Sequence, residues 1–317
     1  MVGGVMRSYD LVVLGEVAMD VILAGVDKVP RSWSILGRTK AAGIFTAGSA
    51  GYVAQCYSKL GGRAAIVGRI GDDNAGRMLV QGFRQCNVST RYMIIDKKAR
   101  TEVSTVVLYN NGNKASIVNK IPTLDPRLLD FTFLEKTKAL HIGGYLLLPN
   151  LWGNSIRRLL RRATREDVVI SVDPQMSATG QWNKAFRGLF EQLDILLLDE
   201  VEAIRISKKK SIIDAIECLQ KNGVEIVAVK TGRKGCVVGG NGKLYTVKAL
   251  RSKIVSTIGA GDAFDAAFIY GVLKNWPLDK VAKFSNIVAS MSTTQLGCAT
   301  AITRATDLER LVALYYT

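Results

Sequence analysis

The sequence predicts an α/β fold: a mainly parallel central sheet with helices on both faces, plus a small β-sheet lid. Three observations carry this. Short runs that are apolar on both sides, such as LVVLG and VVISVDP, recur along the chain. Helix-like segments separate them, so the strands run parallel and are covered on both faces. Two stretches of shorter, alternating strand candidates interrupt the rhythm.

Taken in order, LVVLG (11–15) is the first strand, and AAIVGRIG (64–71) follows the helix AGYVAQCYSKLGG. ALHIGG (139–144) precedes the basic helix WGNSIRRLLRRATRE. VVISVDP (168–174), DILLLDE (194–200) and EIVAVKTG (225–232) come next, each beside a helix-like segment. The interruptions are residues 16–45 and 92–119, which carry EVAMDVIL, TEVSTVVLYN and KASIVN, with a turn at 110–113. No repeat, low-complexity tract or linker divides the chain. The expectation is one domain over 1–317, with those two lid segments inserted.

At about 150 residues per domain, 317 residues allow two domains, but one large α/β domain runs as long. Hydrophobic residues at 48% against 22% charged exclude a disordered chain. No apolar stretch approaches the ~18–20 residues of a spanning helix, and MVGGVMRSYD does not read as a secretory signal. A cytoplasmic protein with no membrane partner is expected. Five scattered cysteines without C-x-x-C, and one histidine, leave a zinc site short of ligands. Ser-His-Asp or Cys-His catalysis would rest on His141 alone, which reads instead as a packed strand-end residue.

The formal charge is 43 − 27 = +16. At 100° per residue, Arg157, Arg158, Arg161, Arg162 and Arg165 fall within about 140° of one helix face. Ile156, Leu159, Leu160 and Ala163 take the opposite side. Lysine and arginine clusters bind phosphate backbones, but no recognition motif or interleaved aromatic accompanies this face. A solvated surface is preferred to a nucleic-acid partner.

The most informative segment is IVSTIGAGDAFDAAFIYGVL (254–273). Phe264, Ala267, Phe268, Gly271 and Val272 follow helical spacing, and Gly259, Ala260 and Gly261 form a small approach to that helix. A helix N-terminus offers unpaired N–H groups and partial positive charge, and glycines let an anion come close. Asp262 stands at the junction. It could simply cap the helix, yet a negative cap does nothing for an anion beside it. A general base next to a phosphate nest explains both features, since phosphoryl transfer needs a hydroxyl deprotonated beside a stabilised phosphoryl group. No G-x-x-x-x-G-K-[ST] phosphate loop occurs.

This segment resembles the second signature of the PfkB (ribokinase-like) carbohydrate kinase family, and the resemblance spans nearly the whole chain. AGSAGYVAQCYSKLGG (47–62) occupies the place of the family's Gly-Gly motif. GRIGDDNAGRMLVQGFRQCNV (68–88) looks like its first signature, LLLDEVEAI (196–204) like its N-x-x-E element, and VKTGRKGCVV (229–238) like its nucleotide-strand motif. The resemblance implies transfer of the γ-phosphoryl of ATP to a hydroxyl of a sugar, polyol or nucleoside, with Mg²⁺. Asp262 would be the base, and the backbone of Gly259, Ala260 and Gly261 would stabilise the transferring group. Glu202 would organise Mg²⁺ through water. Asp20 and Gly48 match substrate-side positions. Lys230, Thr231, Gly232 and Gly235 lie where the nucleotide strand turns, and Asn286 where a later helix borders the adenine. Relatives dimerise through the β-lid, which nothing in this sequence decides.

Departures from the pattern bear on the acceptor. Ala47 replaces the first glycine of the pair, and Tyr52 replaces an asparagine, exchanging an amide for an aromatic plane with one hydroxyl. Asp199 replaces the usual Asn; Lys230, in place of Thr, could offset it or reach a phosphate. Ser256 stands where Asp is commonest, which leaves the need for a monovalent cation open. The substrate-side glutamate of ribokinase falls at Gly143. These changes speak against ribose more than against kinase activity, with Tyr52 keeping a nucleoside acceptor as the alternative. A non-catalytic ligand-binding relative is a third reading, opposed by the intact Asp262. Asp20 could instead serve only as a turn residue, and Glu202 as an exposed carboxylate at a helix start.

Overall fold

The computed structural model describes residues 7–30, 32, 36–111, 113–119, 124–175 and 181–316; within the expected lid segments, 31, 33–35 and 112 lie outside them. In chain order the elements are β1 (Tyr9–Gly15), β2 (Ala18–Val26), β3 (Ala41–Ala47), α1 (Ser49–Lys59), β4 (Ala64–Val67), β5 (Arg69–Gly71), α2 (Asn74–Gln85), β6 (Ile94–Asp96), β7 (Glu102–Tyr109) and β8 (Lys114–Val118). Then come β9 (Thr137–Gly143), α3 (Asn154–Arg165), β10 (Val169–Val172), α4 (Trp182–Phe186), β11 (Ile195–Asp199), α5 (Glu200–Ser207), α6 (Ile212–Lys221) and β12 (Ile226–Lys230). The last are β13 (Cys236–Gly240), β14 (Lys243–Val247), α7 (Ala260–Leu273), α8 (Leu278–Ser292) and α9 (Ala305–Tyr315).

The eight-stranded central sheet has the order β14-β13-β12-β11-β10-β9-β1-β4. From β4 to β12 neighbouring strands run parallel, and the β12-β13-β14 end is antiparallel. Alternation explains why the strands read as continuous apolar runs. Leu11, Val13, Ile195, Leu197 and Ala228 face the layer of α1, α7 and α8. Val12, Leu14, Leu196, Leu198, Val227 and Val229 face that of α3, α5 and α6. The arginine helix α3 buries Ile156, Leu159, Leu160 and Ala163, the side its pattern assigns to the core. Among the described residues no helix is long and apolar enough to cross a membrane.

Two readings of the sequence are corrected. AAIVGRIG is not one strand: β4 stays in the central sheet, while β5 pairs with β6 in a separate two-stranded ribbon. The break falls at Gly68, where a Cβ would come within 2.8 Å of Val17 and whose carbonyl accepts the N–H of Ile94. The start of the expected second lid segment therefore belongs to that ribbon. The remaining strands, β3-β2-β7-β8, form a four-stranded sheet with β2 and β7 parallel and the outer pairs antiparallel.

The start of α1 is pressed onto the ends of β1 and β9. A Cβ on Gly15 would stand 2.1 Å from the Gly143 carbonyl oxygen and 3.0 Å from the Ala50 Cβ. Overpacking of this kind costs on the order of 1–3 kcal/mol. Gly15→Ala is therefore expected to lower the urea midpoint by a corresponding amount, and an unchanged midpoint would show that this junction is slack.

Candidate active site

Parallel strands end on one edge of the sheet, and there the chain collects its polar groups. Glu16 follows β1, Asp173 follows β10, and Asp199 and Lys230 end β11 and β12. The N-terminus of α7 faces this edge. Gly259 takes the left-handed conformation (φ 77°), and a Cβ there would lie 2.4 Å from that of Cys298. The first intrahelical bond runs from Ala263 N to the Gly259 carbonyl. The Gly261 and Asp262 amides precede that bond, as a helix start requires.

Asp262 accepts a hydrogen bond from the Ser49 hydroxyl at 2.9 Å. Burial, then the charge of Asp173, push its carboxyl up to about 8, with Lys230 and Ser49 opposing. Lys230 lies against the same turn, its Nζ 3.6 Å from where a Gly261 Cβ would be. It donates to Asp173 at 2.5 Å and to Asp265 at 2.9 Å. Burial alone would neutralise the amine; the two carboxyls outweigh it and hold Lys230 well above its usual range. Asp265 is driven upward by burial, and Asp173 is held low by Lys230 despite its own burial. Lys230 does not offset Asp199, whose carboxylate instead accepts the Glu202 N–H at 2.7 Å.

Glu202 is 3% exposed, so it is not an exposed carboxylate at the helix start. Its Oε2 accepts the Asp199 N–H at 2.7 Å, closing a capping box on α5. Burial and the nearby Asp173 push it up to about 8. Among the described residues no group of three or more His, Cys, Asp or Glu could hold a metal ion directly. Glu202, beside Asp173 and Asp199 but in no three-ligand group, suits a Mg²⁺ held through water.

On the other side, Gly48 (φ 89°) joins β3 to α1 with no room for a Cβ, which would meet the Glu16 carbonyl at 2.5 Å. Tyr52 is 4% exposed and donates its hydroxyl to Asp20 at 2.6 Å. The expectation of an open aromatic plane is therefore corrected: the ring is buried and its one hydroxyl is used. Ser256 is buried, with its Oγ accepting the Ile258 N–H at 3.2 Å.

Thr231, Gly232 and Gly235 make the β12–β13 turn, closed by Thr231 N to the Gly235 carbonyl at 2.8 Å. A Cβ on Gly235 would strike the Val247 oxygen at 1.9 Å. The Asn286 amide donates to the Val247 and Lys248 carbonyls at 3.1 and 3.3 Å. Asn286 thus holds the chain behind that turn, with its NH₂ group already used. His141 is fully buried, bonded to Ser171 at 3.0 Å and lowered by burial to about 4, so it is neutral.

Sequence reasoning missed Ser49, Glu16, Glu102, Asp173 and Asp265. Asp265 carried a signal: a lone acid three residues after Asp262 on an otherwise apolar helix. The others are single polar residues at strand or helix ends, with nothing local to mark them.

A carboxyl raised from 3.8 to about 8 in the folded state binds more protons there than in the unfolded chain. Its contribution to stability is complete below pH 3.8 and is lost as pH rises through about 8. Asp262→Asn is expected to raise Tm relative to the parent at pH 8–9, with the difference vanishing near pH 4. Parallel melting curves at the two pH values check this, and equal differences at both would refute it.

Comparison with known proteins identifies the fold and the chemistry. The description "pfkB family carbohydrate kinase" matches residues 8–305. An uncharacterised sugar kinase of Archaeoglobus fulgidus is 28% identical over 79% of this chain and 99% of its own. A probable fructokinase-3 of Arabidopsis thaliana is 27% identical over 83% and 81%. A putative ribokinase II from E. coli, solved in complex with ATP and Mg²⁺, superposes with a TM-score of 0.84 at 19% identity, covering 97% of this chain and 100% of that one. The α7 N-terminus with its adjoining acid thus sits in a ribokinase fold, and the chain belongs to the pfkB family of carbohydrate kinases, enzymes that transfer a phosphoryl group from ATP to a sugar hydroxyl.

Proposed function

We propose that Asp262 is the general base that deprotonates the acceptor hydroxyl, and that the amides of Gly259, Ala260 and Gly261 receive the charge of the transferring phosphoryl group. The observation that supports this reading is the position of Asp262. It stands on the first turn of α7 beside the Gly261 amide, which precedes the first intrahelical bond, while the Ala260 N–H makes a long bond to the Thr257 carbonyl at 3.4 Å; it is fixed by Ser49 and raised to about 8 by burial. A base tuned near the working pH combines a useful ionised fraction with enough basicity to accept a proton. Lys230 adds positive charge under Gly261, and the Thr231–Gly235 turn with the loop held by Asn286 forms the nucleotide side. Asp20, oriented by Tyr52, and Gly48 form the acceptor side.

Glu202 would hold Mg²⁺ through water. The ion supplies charge neutralisation between the phosphates of ATP. The four-stranded sheet acts as a lid on one α/β unit, excluding water that would otherwise compete with the acceptor. Ser256 brings no carboxylate for a monovalent cation. A sugar or polyol is preferred to a nucleoside because Tyr52 has no open face for a base. Free cysteines in an ATP-consuming enzyme support a cytoplasmic location.

Asp262→Asn is expected to lower kcat by ~10²–10⁴ while nucleotide affinity stays nearly unchanged. In the parent, kcat/KM should rise with pH up to about 8 as Asp262 ionises. Retention of most activity in the variant would rule out this base. Glu202→Gln is expected to raise the half-saturating Mg²⁺ concentration by roughly 10–100-fold, the scale of lost metal-site partners. Unchanged Mg²⁺ dependence would leave Glu202 as a helix cap alone.

A further inference from the structure

Three carboxyl groups from separate parts of the chain meet on the acceptor side. Glu16 follows β1, Asp20 lies in β2 and Glu102 opens β7. The parallel register of β2 and β7 sets Ala18 beside Glu102 and Asp20 beside Ser104. Glu102 is 2% exposed and Asp20 is 7% exposed. The Glu102 carboxyl reaches Glu16, yet its Oε2 is buried without any hydrogen-bond partner. Glu16 accepts the Ser49 N–H at 2.8 Å, and the Ser49 hydroxyl bonds Asp262. The acidic cluster is therefore continuous with the base.

Its charge has no counterpart among the described residues. The groups acting on Glu102 are Glu16 and Asp20; those acting on Asp20 are Tyr52, Glu16 and Ser104. The site's lysine is engaged on the far side with Asp173 and Asp265. Burial, reinforced by the acidic neighbours, lifts Glu102 to about 9 and Asp20 to about 6. A residue that only pinned β7 would spend its oxygens on the sheet, as Asn119 does in accepting the Val103 N–H at 2.8 Å. Glu102 leaves one oxygen unpaired, which calls for an outside donor.

Resting on the reading of Asp262 as base, we propose that the acceptor turns only hydrogen-bond donors, hydroxyl or ammonium, toward Glu16, Asp20 and Glu102. Sugars carrying phosphate or carboxylate are rejected there. A second anion in this buried pocket meets like charge with no cation to offset it. A hydroxyl or ammonium satisfies the orphaned oxygen, and an ammonium also displaces the protons that the cluster retains.

Matched acceptor pairs test this: ribose and ribose 5-phosphate, fructose and fructose 6-phosphate, glucosamine and glucosamine 6-phosphate. ADP release is measured with ATP and Mg²⁺, and affinity by calorimetry without ATP. The expected result is that the unphosphorylated member is favoured at least ~10-fold by both measures. The ratio should widen as Glu102 ionises above about pH 9; there Glu102→Gln should narrow it, and Glu102→Asp, which keeps the charge, should retain it. Net proton release on glucosamine binding, seen by calorimetry in two buffers, would identify ammonium as the donor; its absence alongside the same ratios would identify hydroxyl. Preference for a phosphorylated member, or the same ratio above about pH 9 in a folded Glu102→Gln variant, would overturn the inference, as would failure of every unphosphorylated probe to bind. Discrimination in binding with no ADP release from any acceptor would support this inference while refuting the assignment of Asp262 as base.

Discussion

A lysine ammonium buried between two carboxyls is the contact around which the site is arranged. Lys230 ends β12, Asp173 follows β10, and Asp265 lies within α7, so one cluster ties two strand ends to the helix that carries Asp262. Burying any of these charges alone would be prohibitive, and breaking such a pair typically costs about 3–5 kcal/mol. The cluster therefore fixes the height of α7 against the sheet edge. It also sets the local field. Asp173 raises Asp262 and Glu202, while Lys230 opposes both shifts.

The electrostatics of the site run against those of the whole chain. The protein carries a formal +16, yet Glu16, Asp20 and Glu102 gather as a group of acids, two of them buried. Its densest local cluster, the five arginines of α3, stands away from the site residues. There Arg158 and Arg162 sit over the Phe131 ring at 5.1 and 5.9 Å, and Arg162 also pairs with Glu135. A positive exterior draws ATP by long-range attraction. An acidic pocket discriminates among acceptors at contact distance, where screening by salt is weak. The two effects operate at different ranges and so coexist.

Much of the site was legible because its parts are local in sequence. Gly259 to Asp262 form a helix start whose residue types point to anion binding, whereas the capping box of Asp199 and Glu202 emerged only from the structure. Ser49, Glu16 and Glu102 were not legible. Their roles depend on which strands become neighbours, and Glu102 acquires its place only through the register of β2 against β7. Tyr52 was misread for the same reason: its phenol meets Asp20 from another element. Lys230 likewise turned from a partner of Asp199 into a partner of Asp173 and Asp265.

By itself, the sequence determined the architecture. Apolar runs covered on both faces, spaced by amphipathic helices, leave few arrangements other than a parallel sheet between helix layers. The family pattern named the reaction. The tertiary structure alone decided which charges meet. Hydrophobic periodicity records whether a residue is buried, whereas the protonation of a carboxyl depends on neighbours a few ångströms away and distant along the chain. That is why the fold could be read along one dimension, while the meeting of Glu16, Asp20 and Glu102 required three.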